Sequence, residues 1–179
     1  MTTTHRTATA LAITAALALG VSGCGVNGNA APRATTTANP TEAAKAEAFK
    51  KSEAALRKLE KMPANGVVKA DYVTPEMLTA VNKQHAEIAQ HGAKVTGQGK
   101  FVSIKPQQYG TRPKPTTSML VCSEGDLRLI DKSGKDITVD VDGKPKPPGV
   151  KRESAIYTLE SRDGGETFMV NALTPQGAC

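Results

Sequence analysis

The spacing of apolar residues changes once along this chain, near Gly92. Before that glycine, apolar residues recur at steps of three, four or seven in two segments; after it, they alternate with polar residues in short runs. The first spacing is typical of amphipathic helices and the second of half-buried strands. Helices followed by a run of antiparallel strands make up the α+β order, and we expect that class here.

Both helical segments begin with a capping signal, Asn39-Pro40 in the first and Thr74-Pro75 in the second. We expect the first helix over about residues 40 to 61 and the second over about 75 to 91. The apolar face of the first contains Ala46, Phe49, Leu56, Leu59 and Met62. The apolar face of the second contains Leu78, Val81, His85 and Ile88.

Strands are predicted wherever β-branched and aromatic residues alternate with polar ones. The predicted strands lie around Val95 to Ile104, Ser118 to Cys122, Leu127 to Ile130, Ile137 to Val141, Ala155 to Leu159 and Phe168 to Leu173. Between the last two, Asp163-Gly164-Gly165 predicts a tight hairpin.

The first 23 residues have the composition of a secretory signal peptide. His5 and Arg6 precede an apolar stretch from Ala8 to Leu19, which small residues follow. A membrane-spanning helix needs roughly twenty apolar residues, so we interpret this shorter stretch as a leader that is removed. The sequence Val21-Ser22-Gly23-Cys24 resembles the lipobox of bacterial lipoproteins, in which the cysteine becomes the lipid-bearing first residue. The alternative is an ordinary secreted protein with a chance cysteine.

Residues 24 to 39 are small and polar and show no apolar period, which predicts a disordered tether behind the lipidated Cys24. The expected organisation is therefore a signal peptide over 1–23, a lipidated cysteine and tether over 24–39, and one globular domain over 40–179. The expected location is the extracytoplasmic face of the cell membrane, reached through the lipid, with two or more acyl chains such as palmitate giving a stable anchor.

The chain has three cysteines, an odd number for an exported protein. Lipidation of Cys24 leaves Cys122 and Cys179, and in an oxidising compartment a disulfide between these two is the default. A reactive thiol is the alternative, but neither cysteine lies in a CxxC motif or near a histidine in sequence.

The formal net charge is +6, and the lysines are scattered rather than clustered. With three Phe and three Tyr, few aromatic residues are available to stack on bases. We therefore expect no nucleic-acid partner. A basic surface beside a bacterial membrane meets anionic headgroups or wall polymers, although a solvated charged face is the simpler interpretation.

Several motifs in order, SMLVCSEG, DKSGK, YTLESRDGGETFMV and QGAC, are similar to exported lipoproteins of high-GC Gram-positive bacteria with an NTF2-like, ketosteroid-isomerase-like domain. The matching residues are Cys122, Asp131, Gly134, Lys135, Gly165, Phe168, Val170 and Cys179. Two residues depart from the pattern, Phe168 in place of the usual Trp and Val121 in place of a frequent Asp. The resemblance covers about residues 40 to 179 and implies a cone, in which N-terminal helices pack on a curved antiparallel sheet and leave a pocket at its wide end.

Two residues are candidates for lining such a pocket. His85 lies on the apolar face of the second predicted helix, and Tyr157 alternates with apolar neighbours in a predicted strand. A core or rim position is the simpler interpretation of both. His91 lies six residues after His85 and so does not share its face as a metal pair would. Because the chain contains no catalytic, cofactor or metal motif, we predict no catalytic residue, no cofactor and no metal.

The predicted function is therefore a non-enzymatic binding or interaction module at the membrane surface. Its partner would be an envelope protein, a wall polymer or a small apolar ligand, and the oligomeric state stays open. One alternative is an exported NTF2-like enzyme of isomerase or dehydratase type, with His85 as acid or base. Another is an accessory lipoprotein of a mobile element, acting in conjugation or phage exclusion.

Overall fold

The computed structural model describes residues 40–140 and 143–179. The predicted leader, Cys24 and the tether lie outside these residues. Within them, two helices come first and six strands follow, so the predicted α+β class is confirmed. The elements are α1 Pro40–Leu59, α2 Pro75–Gln90, β1 Lys94–Thr96, β2 Gly99–Gly110, β3 Thr116–Gly125, β4 Arg128–Ile130, β5 Lys151–Glu160 and β6 Met169–Ala178.

The four long strands form one antiparallel sheet in the order β2-β3-β5-β6, and the short strands β1 and β4 form a separate antiparallel ribbon. In the sheet, Met119 of β3 lies opposite Tyr157 of β5, which in turn lies opposite Leu173 of β6. Side chains alternate between the faces of a strand, so Thr117, Met119 and Val121 point to one face, where all three are buried. We call this the inner face.

Helix α1 covers the inner face with a narrow stripe of mostly small residues. The buried members of the stripe are Ala48, Ser52, Ala55, Leu56 and Leu59. Ser52 Oγ and Thr117 Oγ1 lie 2.7 Å apart and form a buried hydrogen bond between α1 and β3. The prediction that Ala46 belongs to the apolar face is wrong. It is exposed because, at 3.6 residues per turn, it lies about 160° around the helix from Ala48.

Helix α2 contacts strand β6, and none of its residues is fully buried. Its predicted apolar face is half-buried. Polar contacts hold it instead. Thr74 Oγ1 accepts a hydrogen bond from Met77 N as an N-cap, and Thr74 N donates to Val170 O of β6. Asn82 makes two hydrogen bonds to the backbone of Val68. Its Oδ1 accepts from Val68 N at 2.7 Å, and its Nδ2 donates to Val68 O at 3.0 Å.

The strand predicted from Ile137 to Val141 is wrong over residues 137–140, and Val141 lies outside the described residues. Isolated bridges occur there in place of a ladder, and both Ile137 and Val139 are exposed. The reason is a pair of backbone contacts, one between Asp131 and Lys135 and one between Asp140 and Lys144, that turn the chain on either side of this segment. In each, the aspartate N–H donates to the lysine carbonyl, at 3.0 Å and 2.9 Å.

The hairpin predicted between β5 and β6 is present, but its connection spans residues 161–168 instead of a tight turn. The Asp163 carboxylate organises this longer loop by accepting hydrogen bonds from Ser161 Oγ, Glu166 N and Thr167 N. Phe168 and Val170, which the family resemblance singled out, belong to the buried core.

A disulfide joins Cys122 to Cys179, as predicted. Cys122 alternates with the buried Val121, so the bridge lies on the outer face of the sheet, away from α1. It connects the central strand β3 to the residue after β6, across β5. For a sequence separation of 57, the chain-entropy estimate is roughly 4 kcal/mol of stabilisation.

Candidate ligand-binding groove

A groove of about 650 Å³ opens on the inner face, between the end of α1, part of α2 and strands β2, β3 and β5. Its volume lies within the roughly 300 to 1,000 Å³ that is usual for small-molecule sites. Both His85 and Tyr157, the two residues predicted for a pocket, line it. We call it the inner groove.

Tyr157 is the most unusual side chain of the inner groove. It is only 9% exposed, yet its hydroxyl makes no hydrogen bond to any other described residue. Within the described part of the chain, no fully enclosed side-chain nitrogen or oxygen lacks a partner. The hydroxyl therefore reaches solvent through the groove that its residue lines. Burial raises the pKa of Tyr157, which keeps the hydroxyl protonated and able to donate a hydrogen bond at neutral pH.

Apolar side chains surround Tyr157. The Phe101 ring lies 5.8 Å from the Tyr157 ring, centroid to centroid, at an interplanar angle of 58°. Phe101 is held in place through its backbone, because its N–H donates to Glu60 Oε1 at 2.6 Å. Other apolar residues of the groove include Leu59, Met62, Met77 and Leu173. This part of the groove can accept an apolar chain or ring system.

His85 reaches the groove from α2. Its Nδ1 lies 2.8 Å from Gly66 O, and since a carbonyl oxygen can only accept, Nδ1 donates this hydrogen bond. Gly66 has a φ of 79°, a left-handed conformation that glycine adopts without strain. The preceding Asn65 pairs with the backbone of Val95 through two hydrogen bonds of 2.8 Å. His91 caps the end of α2 and does not line the groove.

The groove becomes charged along β5. Lys151 and Glu153 lie on the same face of the strand as Tyr157, since they are six and four residues before it. Lys146 Nζ donates to Glu153 Oε1 at 2.9 Å. Arg128 of β4 positions Lys146, because its guanidinium donates to the carbonyl of Lys146 at 2.8 Å.

Each glutamate that lines the groove already has a basic partner. Arg57 lies 3.4 Å from Glu60, and Lys146 pairs with Glu153. Glu124 pairs with Arg152 at 2.7 Å and with Lys100 at 3.1 Å. Hydrogen bonds from Arg152 and then Lys100 lower the pKa of Glu124. Lining lysines without an ion-pair partner among the described residues are Lys61 and Lys151.

Sequence reasoning missed the charged part of the groove and Phe101. Alternation along β5 was a usable signal for Lys151, because it falls on the face that Tyr157 was expected to occupy. Phe101 offered no such signal, since its contact with Tyr157 depends on how β2 and β5 lie across β3.

No group of three or more His, Cys, Asp or Glu residues suited to a metal ion occurs among residues 40–140 and 143–179. In the same residues, no helix has the length and apolar character needed to cross a membrane.

No protein-family model matches this chain, and no curated protein matches it. Among solved structures, it is similar to the crystal structure of the intermembrane space region of the chloroplast protein ARC6, with a TM-score of 0.39 and 13% sequence identity. That similarity covers 77% of this chain and 95% of the other. At so low a TM-score, it supports no conclusion about fold or function.

Proposed function

We propose that this chain is a non-enzymatic binding module that holds a small, largely apolar ligand in the inner groove. The observation that carries the proposal is Tyr157, a nine-tenths buried residue whose hydroxyl has no hydrogen-bond partner among the described residues and opens into the apolar part of the inner groove. Because the hydroxyl reaches solvent through the groove, an apolar ligand that displaces this water must replace its hydrogen bond. A ligand oxygen would do so.

The proposal includes a cellular location and a fold. Residues 1–23 are removed as a signal peptide, Cys24 is lipidated, residues 24–39 form the tether, and residues 40–179 fold as an NTF2-like cone. The leader composition and the lipobox-like sequence support a location on the extracytoplasmic face of the membrane. Two helices on an antiparallel sheet, with the groove on the covered face, support the fold.

The binding proposal is tested with 1-N-phenylnaphthylamine, a neutral apolar dye whose fluorescence rises in apolar sites. The protein is the full chain carrying Cys24→Ser, which removes the acceptor thiol and therefore the lipid. We expect saturable binding, and we expect Phe101→Ala to weaken it about fivefold, since roughly 1 kcal/mol of ring burial is lost.

The matched control is Ile156→Ala, on the outer face of β5, which should leave dye binding unchanged. If the full chain gave no saturable fluorescence rise, or if both variants weakened it equally, the proposed groove function would be wrong.

The proposed lipidation is tested separately by metabolic labelling of cells that express the chain. We expect the wild-type protein to incorporate labelled palmitate and the Cys24→Ser variant to incorporate none, because the variant lacks the thiol that receives the lipid. Equal incorporation by both proteins would contradict lipidation at Cys24.

A second candidate function is favoured by the His85–Gly66 contact. A neutral histidine whose Nδ1–H is held by a carbonyl presents Nε2 as a base, the arrangement that general acid–base chemistry uses. In this alternative, the chain is an exported isomerase or dehydratase with His85 as the acid or base. Its test is turnover of a keto-steroid or hydroxyacyl substrate; equal turnover by His85→Gln and the wild type would exclude it.

A further inference from the structure

The inner groove has two polar sites that are far apart, Lys151 and the Tyr157 hydroxyl. Six residues of β5 separate them, which at about 3.3 Å per residue places their Cα atoms roughly 20 Å apart. Between and beside them lie apolar groups, among them Phe101, Met77 and Leu173. The groove is thus long and has a different chemistry at each end.

At the charged end, on β5, Lys151 has no ion-pair partner among the described residues. Its neighbours Glu153 and Glu124 are neutralised by Lys146, and by Lys100 together with Arg152. Asp126, at the margin of the groove, accepts a hydrogen bond from Gln98 N. An anion at this end therefore meets an excess of positive charge, whereas a cationic group would be repelled.

At the other end, the Tyr157 hydroxyl donates. Burial raises the pKa of this group and keeps its proton in place, so it can donate a hydrogen bond to a ligand oxygen such as that of a hydroxyl or carbonyl group. An unsubstituted alkyl end placed there would take water away from the hydroxyl without replacing its hydrogen bond, which costs free energy.

We propose that the ligand is a single-chain anionic amphiphile that carries an oxygen group in its chain, with the anion at Lys151 and the chain oxygen at Tyr157. This inference rests on the proposed binding function and names its ligand class. The anion is a carboxylate or a phosphate, which share the charge that Lys151 recognises.

The test is displacement of 1-N-phenylnaphthylamine from the full Cys24→Ser chain by three molecules with the same chain length. These are 12-hydroxydodecanoate, which has both polar ends, dodecanoate, which lacks the chain oxygen, and 1,12-dodecanediol, which lacks the charge. We expect 12-hydroxydodecanoate to displace the dye at the lowest concentration, about fivefold below each of the others, as expected for one partly exposed charge or one hydrogen bond.

Two variants remove the two preferences independently. Lys151→Glu should abolish or reverse the preference over the diol and leave the preference over dodecanoate. Tyr157→Phe should abolish the preference over dodecanoate and leave the preference over the diol. The control Lys105→Glu makes the same charge change on an exposed residue outside the groove and should change neither. Dodecyl phosphate in place of dodecanoate distinguishes a phosphate from a carboxylate site.

The outcomes separate this inference from the function on which it rests. If the dye binds but the diol displaces it as well as the hydroxy acid does, the anionic class is wrong and the groove function stands. If the preference over dodecanoate survives in Tyr157→Phe, the tyrosine contact is wrong. If the dye itself does not bind, both proposals fall.

Discussion

Helices α1 and α2 are both amphipathic, yet the structure uses them differently. Helix α1 buries a stripe that includes Leu56, which is completely inaccessible, against the sheet. Helix α2 buries none of its residues fully and is fixed by Thr74 at its start and Asn82 in its middle. The two helices therefore have different roles. Helix α1 completes the core and stabilises the fold, while α2 forms a wall of the groove with Met77 and His85.

The largest expected effect that separates the helices comes from truncating one leucine in each. Leu56→Ala should lower the free energy of unfolding by about 3 kcal/mol, because it leaves a cavity in the core. Leu78→Ala on half-buried α2 should cost about 1 kcal/mol. Urea unfolding followed by circular dichroism measures both. Equal losses would mean that α2 contributes to the core as much as α1 does.

Next in size is the removal of the Asn82 side chain. Asn82→Ala leaves the backbone N–H and C=O of the buried Val68 without partners, and we expect a loss of about 2 kcal/mol. Lys83→Ala, at the adjacent exposed position, is the control and should change the unfolding free energy by less than about 0.5 kcal/mol. A similar small value for Asn82→Ala would show that polar contacts do not hold α2.

A smaller effect is expected at the start of α2. Thr74→Ala removes the N-cap acceptor for Met77 N and should cost about 1 kcal/mol, whereas Thr74→Ser keeps the hydroxyl and should retain most of that stability. Thermal unfolding of the two variants side by side provides the measurement. If serine were as destabilising as alanine, the methyl group of Thr74, which is buried, would matter more than the cap.

The smallest effect is a pH dependence of the contact between α2 and the loop after β5. Arg162 bonds both Glu76 of α2, at 2.7 Å, and the buried Glu160, at 2.8 Å. The pKa of Glu76 is lowered by a backbone hydrogen bond and then by Arg162, and the pKa of Glu160 by hydrogen bonds from Lys114 and Arg162. Lowered values mean that the charged glutamates stabilise the fold above their ordinary pKa of 4.5, and this stabilisation is lost as the pH falls below it.

Unfolding midpoints measured from pH 7 to pH 3 test this dependence. We expect the unfolding midpoint of the wild type to decrease once the pH is lower than about 4.5. The midpoint of the Arg162→Gln variant should decrease less, because part of the pKa shift is gone. Lys105→Gln should follow the wild-type curve. Parallel curves for wild type and Arg162→Gln would exclude this ion-pair network as the cause.

The sequence was most informative where the controlling interactions are local. The capping residues and apolar period placed α1 and α2 to within about two residues of their observed bounds, because both signals act within a few turns. The same local reasoning was wrong for Ile137 and Val139. Their alternation looks like that of a strand, but two aspartate turns flank them and they do not join the sheet.

The groove was only half predictable. Its two candidate residues, His85 and Tyr157, were found from their positions on a helix face and a strand face, and both do line it. Its charged character was not found. Alternation along β5 could have placed Lys151 on the face of Tyr157, but the pairing of β3 with β5, which brings Glu124 to Arg152, is a long-range relationship that no short segment specifies.

The Cys122–Cys179 bridge also decides how the protein can be handled. It holds the exposed end of the chain on the outer face of the sheet, while the groove opens on the inner face. A fluorophore or affinity tag added after Cys179 therefore emerges on the side away from the groove. Attachment to a sensor surface through such a tag leaves the groove facing the solution. Ligands can therefore be screened on immobilised protein, because the surface does not block the groove.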